Sequence, residues 1–488
     1  MMIQNNMTFD ERFRACFGDM SVRKSAENTK FFADQSLPSF IRDWLMMRFS
    51  DRNGVIDARK ISEYVKKTVP KQEQWNNMLV DMLHYNRAAR FLAKVKIDFD
   101  MKKKQALFSL PDFGVPAHKG DAVVNWDVIE KHRDDLLSST DVWGIVTVRC
   151  EPDDKKDTYI FKLVDFTSFC PYHVDVNYFI KARECFTTEE WIDIVLGAID
   201  YNAQGYATQT EKLAMLKRLL PFAERRVNLI ELAPKETGKS YLFSQISQYG
   251  WLVSGGSISR AKMFYDISKR TNGLVSNYDY VALDEIQSIK FTDPLEMQGA
   301  LKGYLESGEY HVGSYRGIGS AGFILLGNID TASMDTDADM FAHLPSIFHE
   351  SALLDRFHGF IAGWDIPKMR ESLKANGWAL NTEYFVEILH ALRGESVYRS
   401  VVDRLLCIGP DAATRDTEAV KRLCTAFLKL LFPHVTDVCR ADPAEFRKYC
   451  LDPALEMRGI IKKQLGIIDP GEFGGKSMPA ITVNGEEA

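Results

Sequence analysis

The segment from Val227 to Tyr241 constrains this chain more than any other. An apolar run, Val227 to Leu232, leads into Ala233-Pro234-Lys235-Glu236-Thr237-Gly238-Lys239-Ser240, and a helical pattern opens at Tyr241. A strand, a tight loop and a helix in that order are what a phosphate-binding loop requires. The loop amides and the helix N-terminus would cradle phosphate oxygens, with residues 233–241 as the contact set. Lys239 would place positive charge at the β and γ phosphates, and Ser240 would offer its hydroxyl to Mg²⁺. The first glycine of the GxxxxGK[ST] pattern is replaced by Ala233. A methyl group there is tolerable where the backbone keeps a negative φ. Taken alone, GKS at a helix start also arises by chance.

Three further pieces follow in order. Tyr280-Val281-Ala282-Leu283-Asp284-Glu285 is an apolar strand that ends in two acids. Asp284 would hold Mg²⁺, and Glu285 would orient or deprotonate an attacking water. In isolation the pair would read as the acidic start of a helix. Phe323-Ile324-Leu325-Leu326-Gly327-Asn328 is another apolar strand with a polar end, where Asn328 would hydrogen-bond the water or the γ-phosphate. Arg356, in Leu353-Leu354-Asp355-Arg356-Phe357, would stabilise charge on transferring phosphate oxygens. From Lys239 to Asp284, Asn328 and Arg356 the separations are 45, 44 and 28 residues. The ordered set points to an ATP and Mg²⁺ site in an α/β core, with Glu285, Asn328 and Arg356 as its catalytic candidates.

The 488 residues suffice for about three domains. With 45% apolar and 26% charged residues, the composition is globular. The net charge of −6 excludes bulk basicity as the basis of nucleic-acid binding, which would need a local basic surface. The eight cysteines show no metal-ligand spacing and read as reduced thiols. No signal peptide and no membrane span are recognisable, so a cytoplasmic location and no membrane partner are expected. Residues 1–36 read as a partly ordered lead-in. Helical spacing follows from Leu37 to about Asn86. Alternating strands are expected at Phe91–Phe99, Ala106–Leu110, Trp143–Val148 and Tyr159–Phe166, the last two joined by a charged loop at 151–156. Thr187, with Glu190 three residues on, marks a helix start. The expected organisation is an α+β N-terminal domain at 1–186, an ATPase core at 187–365, a helical lid at 366–470 and a flexible tail at 471–488.

The order of these motifs resembles an AAA+ ATPase: an α/β P-loop core with a helical lid, preceded by an α+β domain. Arg356 resembles the arginine finger of minichromosome-maintenance helicases, which acts on the neighbouring subunit's ATP. Ala413-Thr414-Arg415-Asp416-Thr417-Glu418 resembles their second-sensor helix, which implies that Arg415 lies near the γ-phosphate. A more specific resemblance runs from Glu231 to Asp469, to the Lon-like ATPase family (BrxL) of BREX phage-defence systems. It is carried by ELAPKETGKSYLFSQIS, YGWLVSGGSISRAKMFY, DYVALDEIQSIKFTDPLEMQGALKGYLESGEY, LLGNID, ESALLDRFHGFIAGWDIP and KANGWALNTEYF. The resemblance implies an antiviral defence factor that forms hexamers or stacked hexamers around duplex DNA and works with other BREX proteins. Longer members carry a C-terminal Lon-like protease domain. About twenty residues follow the expected lid here, so proteolysis is not expected of this chain.

Two regions are candidates for DNA contact. Ser307 to Gly319 reads as a hairpin with Tyr315 and Arg316 near its tip, where an aromatic beside an arginine would stack on bases or pair with phosphate. An ordinary glycine-rich turn reads equally well, and an unfoldase could use the same aromatic to grip polypeptide. Lys94 and Lys96 share one strand face by the period-two rule. With Lys102, Lys103 and Lys104 they would form a phosphate-tracking stripe, or simply a solvated face. The leading expectation is therefore a DNA-encircling ATPase. The alternatives are a Lon-type unfoldase and an ATP-gated DNA-binding ring with little hydrolysis.

Overall fold

The computed structural model describes residues 7–33, 37–51, 53–115, 121–137, 142–153, 158–169, 174–268 and 270–484. The chain forms two compact units, Arg48–His173 and the combination of Met1–Met47 with Val174–Ala488. The first 186 residues are thus shared between the two.

The smaller unit is built on a closed five-stranded barrel. Its strands are β1 (Ala89–Asp100), β2 (Gln105–Ser109), β3 (Ala122–Val124), β4 (Val142–Asp153) and β5 (Thr158–Ser168). They run around the barrel in the order β1-β2-β3-β5-β4. Only β3 and β5 pair in parallel. This is a small Greek-key barrel of the oligonucleotide- and oligosaccharide-binding kind. Period-two alternation decides what lies inside: Phe91, Ala93 and Val95 of β1 meet Phe108, Val146, Leu163 and Phe166. The helix Trp75–Leu83 covers one mouth, with Met82 buried and Trp75 tilted against Phe113. Residues 154–156 of the expected charged loop lie outside the described residues, while Glu151–Asp153 continue β4.

The larger unit centres on a five-stranded parallel sheet. Its strands are β6 (Leu229–Ala233), β7 (Gly250–Ser254), β8 (Tyr280–Asp284), then, beyond a two-stranded hairpin formed by β9 (Glu309–Val312) and β10 (Tyr315–Ile318), β11 (Gly322–Asn328) and β12 (Gly359–Ala362). The sheet order is β12-β6-β11-β8-β7. β6, β8 and β12 are buried at every position, as a parallel sheet covered on both faces demands. The C-terminal helices Thr382–Leu392, Val397–Leu405, Thr414–Leu431 and Asp452–Ile468 belong to the same unit. Asp452–Ile468 packs so closely on β12 that a Cβ at Gly359 would lie 2.9 Å from Met457 Cβ.

The structure adds detail to three expectations. Within the lead-in, residues 7–33 are described, and there Thr8 and Glu11 form a capping box on the helix Phe9–Phe17. Phe13 and Phe17 are buried, and Phe17 lies among Phe179, Phe186 and Trp191. Residues 366–470 are not wholly helical, because Gly377–Leu380 is a strand that pairs with Ser21–Lys24, a partner invisible to local periodicity. The tail is not free up to its described end. Ile481–Val483 pairs with Leu406–Ile408 and buries Ile481 and Val483. The Thr187–Glu190 capping box, by contrast, opens the helix Thr188–Ala198 as expected.

Gly144 on β4 shows how tightly the barrel closes. A Cβ there would lie 2.2 Å from Phe166 Cε2 and 2.8 Å from the Thr167 carbonyl oxygen. The backbone atom cannot swing aside, so Gly144→Ala should overpack the barrel by about 1–3 kcal/mol. Chemical denaturation should show a lower unfolding midpoint for the smaller unit; an unchanged midpoint would mean that the barrel relaxes around the methyl group.

Candidate active site

β6, β11 and β8 are adjacent and parallel, so their carboxyl ends share one edge, where open α/β sheets bind ligands. Ala233 sits opposite Asn328 in the register, and Leu283 opposite Leu325. That edge carries the loop Pro234–Gly238 and the helix Lys239–Gln245.

The loop is held from several sides. Gly238 has φ 79° and Glu236 φ 69°, both in the left-handed region. Gly238 also has no room for a side chain, since a Cβ would lie 2.5 Å from the Tyr201 hydroxyl. Ala233 keeps the strand conformation, which meets the condition for losing the usual glycine. Its methyl occupies space left by Gly363, where a Cβ would lie 2.2 Å from that of Ala233. Met369 N–H donates to the Glu236 carbonyl at 2.7 Å. Beneath the loop, Arg218 donates to the Thr237 carbonyl at 2.7 Å and to both oxygens of Glu231, at 2.9 and 2.5 Å. Arg218 and Glu231 are both 0% exposed.

Lys239 turns inward and donates to the Gly327 carbonyl at 3.1 Å and to Asn328 Oδ1 at 3.0 Å. Burial pushes its ammonium below the ordinary lysine range, and nearby Glu231, Asp284 and Glu285 oppose that shift. Ser240 Oγ donates to Asp284 Oδ2 at 2.5 Å. One hydroxyl and one carboxylate form an oxygen-only pair that suits Mg²⁺, which usually takes few protein ligands and completes its shell with phosphate and water. Glu285 follows with φ 49° and ψ 48°, a conformation costly for a non-glycine residue. Its backbone is locked by a bond from its own N–H to Asp284 Oδ1 (2.9 Å) and by Ser288 N–H donating to its carbonyl (2.7 Å). Lys239, Ser240, Asp284 and Asn328 are therefore assembled, with Glu285 beside them.

Tyr241, one residue further, donates to Asp200 Oδ2 at 2.6 Å. Asp200 is also held by Arg42 at 2.5 Å and Lys24 at 2.8 Å. Burial would raise the Asp200 carboxyl, but the two cations outweigh it and hold it well below the usual carboxylate range.

Arg356 and Arg415 gather elsewhere. Arg356 Nε lies 2.8 Å from Glu306 Oε2, and Arg415 lies 3.4 Å from the same oxygen. Arg415 also pairs with Asp355 at 2.8 Å, whose other oxygen takes Arg458 at 2.5 Å. Neither Arg356 nor Arg415 bonds to the Lys239 cluster. Tyr315 is near the hairpin tip, but its ring lies flat on Tyr265, centroids 3.5 Å apart, and its hydroxyl donates to Asn272 at 3.2 Å. Arg316 points to solvent, 65% exposed, and pairs with Glu309 at 2.7 Å. Lys94 and Lys96 alternate with the core residues Ala93 and Val95, and Lys102–Lys104 form the exposed β1–β2 turn, where Lys102 and Lys103 N–H groups donate to Asp100.

Residues 161–478 match the ATPase-domain profile of the Lon-like protease BrxL-like family. The chain belongs to that family. Residues 15–150 match the N-terminal domain of the BREX system Lon protease-like protein BrxL. The chain is 30% identical over 386 residues to the Lon-like protease BrxL of Escherichia coli O9:H4 (strain HS), covering 79% of this chain and 54% of that protein. It is 33% identical over 344 residues to the namesake of Bacillus cereus (strain H3081.97), covering 70% and 50% respectively. The chain thus spans about half the length of these BrxL relatives.

Sequence reading missed the groups that support the loop: Arg218, Glu231, Tyr201 and Gly363. Glu231 carried a signal, since a carboxylate inside an apolar strand demands a cation. Tyr201 carried none. Its hydroxyl is buried with no hydrogen-bond partner among the described residues, and burial pushes its phenol up to about 12.

Arg218→Met should strand Glu231 and cost about 3–5 kcal/mol, whereas Arg218→Met/Glu231→Leu should cost much less. Both variants lose the support of the Thr237 carbonyl, so both should bind ATP more weakly. Denaturation midpoints with nucleotide titrations check this; a double variant no more stable than the single one would show that the pair does not act as a unit.

Proposed function

We propose that this chain is an ATP-hydrolysing AAA+ motor or clamp, which assembles as a hexameric ring, encircles duplex DNA and serves BREX-type defence in the cytoplasm together with other BREX proteins. The observation that carries the reading is the joining of Lys239, Ser240, Asp284 and Asn328 at one sheet edge by direct hydrogen bonds. Each group has a task there. The loop amides and Lys239 bind the β and γ phosphates; Ser240 and Asp284 hold Mg²⁺. When bound, Mg²⁺ supplies charge neutralisation on the phosphate oxygens. Glu285 orients the attacking water and takes its proton, while Asn328 fixes the geometry.

Arg356 and Arg415 share Glu306 and lie apart from that cluster. Their grouping supports a role on the ATP of a neighbouring subunit, as a finger and a second sensor on one face. The helical C-terminal region acts as the lid over the nucleotide. The barrel topology and the exposed Lys102–Lys104 turn support DNA contact by the smaller unit. Arg316 is free enough to reach a phosphate, whereas Tyr315 would first have to leave Tyr265. Among the described residues no helix is long and apolar enough to cross a membrane.

Glu285→Gln should lower steady-state ATP turnover by about 10²–10⁴-fold while ATP still binds. Duplex DNA should raise wild-type turnover. Turnover indifferent to DNA but raised by unfolded polypeptide would replace this reading with the unfoldase, and bound ATP without turnover would leave an ATP-gated ring.

Mixing tests the shared site. Lys239→Ala and Arg356→Ala chains, each inactive alone, should regain part of the wild-type turnover when combined, since some interfaces then pair an intact loop with an intact arginine. No recovery at any ratio would place Arg356 outside the neighbour's site.

A further inference from the structure

The smaller unit has a groove of about 360 Å³ where the end of one helix, one side of a second and the start of β1 meet. Lys66 and Lys67 close the helix Ala58–Thr68. Asn77 lies on the helix Trp75–Leu83, and Arg87 and Arg90 flank the first residue of β1. Four cations therefore line one concavity, against a single carboxylate, Asp81. Among the described residues Asp81 pairs only with Arg87, at 3.9 Å, and both of those side chains are more than half exposed. A pair of that kind contributes little.

The contrast within one helix is informative. At the N-terminal end, Lys60 pairs with Asp57 at 3.1 Å and Arg59 with Glu63 at 3.1 Å. At the groove end, Lys66 and Lys67 have no ion-pair partner among the described residues, and neither does Arg90. Lysines in a last helical turn do favour the helix dipole. That effect explains neither Arg87 and Arg90, which come from another element, nor the concavity. Met78 is the half-buried apolar group of the lining, the Phe91 ring is buried in the barrel core, and Asn77 adds amide hydrogen-bonding capacity. Four cations with an amide beside them suit a ligand that carries a phosphate and a hydrogen-bonding base edge. The volume lies near the lower end for small-ligand sites, about 300–1,000 Å³, and fits one nucleotide.

We propose that Lys66, Lys67, Arg87 and Arg90 form a second phosphate site, separate from the Lys239 loop, which takes a single phosphorylated nucleotide unit. That unit is either a free nucleotide or one residue of a nucleic-acid strand. The free-nucleotide form is independent of the DNA reading above; the strand form rests on it.

The test uses the full chain carrying Lys239→Ala, which disables the loop, with no other nucleotide present. Deoxyadenosine monophosphate is the free probe, deoxyadenosine its phosphate-free control, and a single-stranded thymidine oligonucleotide the strand probe. Lys67→Glu/Arg90→Glu should weaken binding of the monophosphate, the oligonucleotide or both at least tenfold. Lys67→Gln/Arg90→Gln should fall between, with unfolding midpoints checked for both. For the strand form, the salt dependence should also become shallower by about 0.7 for each phosphate that the variant no longer neutralises. Loss of monophosphate binding identifies the free source, and loss of oligonucleotide binding alone identifies the strand. Binding of neither probe, binding unchanged by charge reversal, or deoxyadenosine binding as well as its phosphate would each overturn the site. ATP turnover with duplex DNA is measured on the same groove substitutions in the chain that keeps Lys239. Turnover that still rises with DNA while the groove fails its test removes the groove and leaves the motor standing.

Discussion

Glu231 is a carboxylate in the middle of a fully buried strand, and it is tolerable there because Arg218 meets both of its oxygens. Burying such a pair contributes little net stability, while breaking it is costly. Its value here is positional. Arg218 directs its remaining donors to Thr237, so the charge pair fixes the height of the loop above the sheet. Everything on the site's edge takes its place from that: Gly238 against Tyr201, Lys239 against Asn328, and Ser240 against Asp284.

A second layer of charge connects distant stretches. Arg458 joins Asp416 of the helix Thr414–Leu431 to the main-chain carbonyls of Asp355 and Phe357. The helices Thr414–Leu431 and Asp452–Ile468 are therefore tied directly to the segment that carries Arg356. In the proposed ring, a shift of those helices would carry Arg356 and Arg415 together, since both are bound to Glu306 and Arg415 also to Asp355.

What the sequence made legible was local. Lys239, Ser240 and Asp284 announce themselves because each ends or follows a short apolar strand, and the structure joins them. The barrel strands were readable from alternation at Phe91–Phe99, but closure was not. It depends on the three-residue strand Ala122–Val124 pairing in parallel with β5, a non-local contact with no periodic trace. Ile481 and Val483 were hidden by the glycines and prolines around them, though their spacing is that of a strand. Arg356 and Arg415 were separately visible, yet Glu306, which gathers them, sits on an ordinary helical face. Tyr315 was read as a free tip residue because its cover, Tyr265, lies far away in sequence.

Asp200, beside the loop helix through Tyr241, is neutralised by Lys24 and Arg42, which precede the barrel in the chain. Lys24 also meets Asp43 and Thr382, so this leading stretch completes a buried charge cluster that the later segments lack by themselves. The consequence is practical for anyone dissecting the molecule. A truncation that begins after the barrel, at a point that looks like a clean domain edge, would leave Asp200 without either cation next to the nucleotide loop. Poor behaviour of such a fragment would then report a missing counter-charge, and would be no evidence that the barrel takes part in hydrolysis.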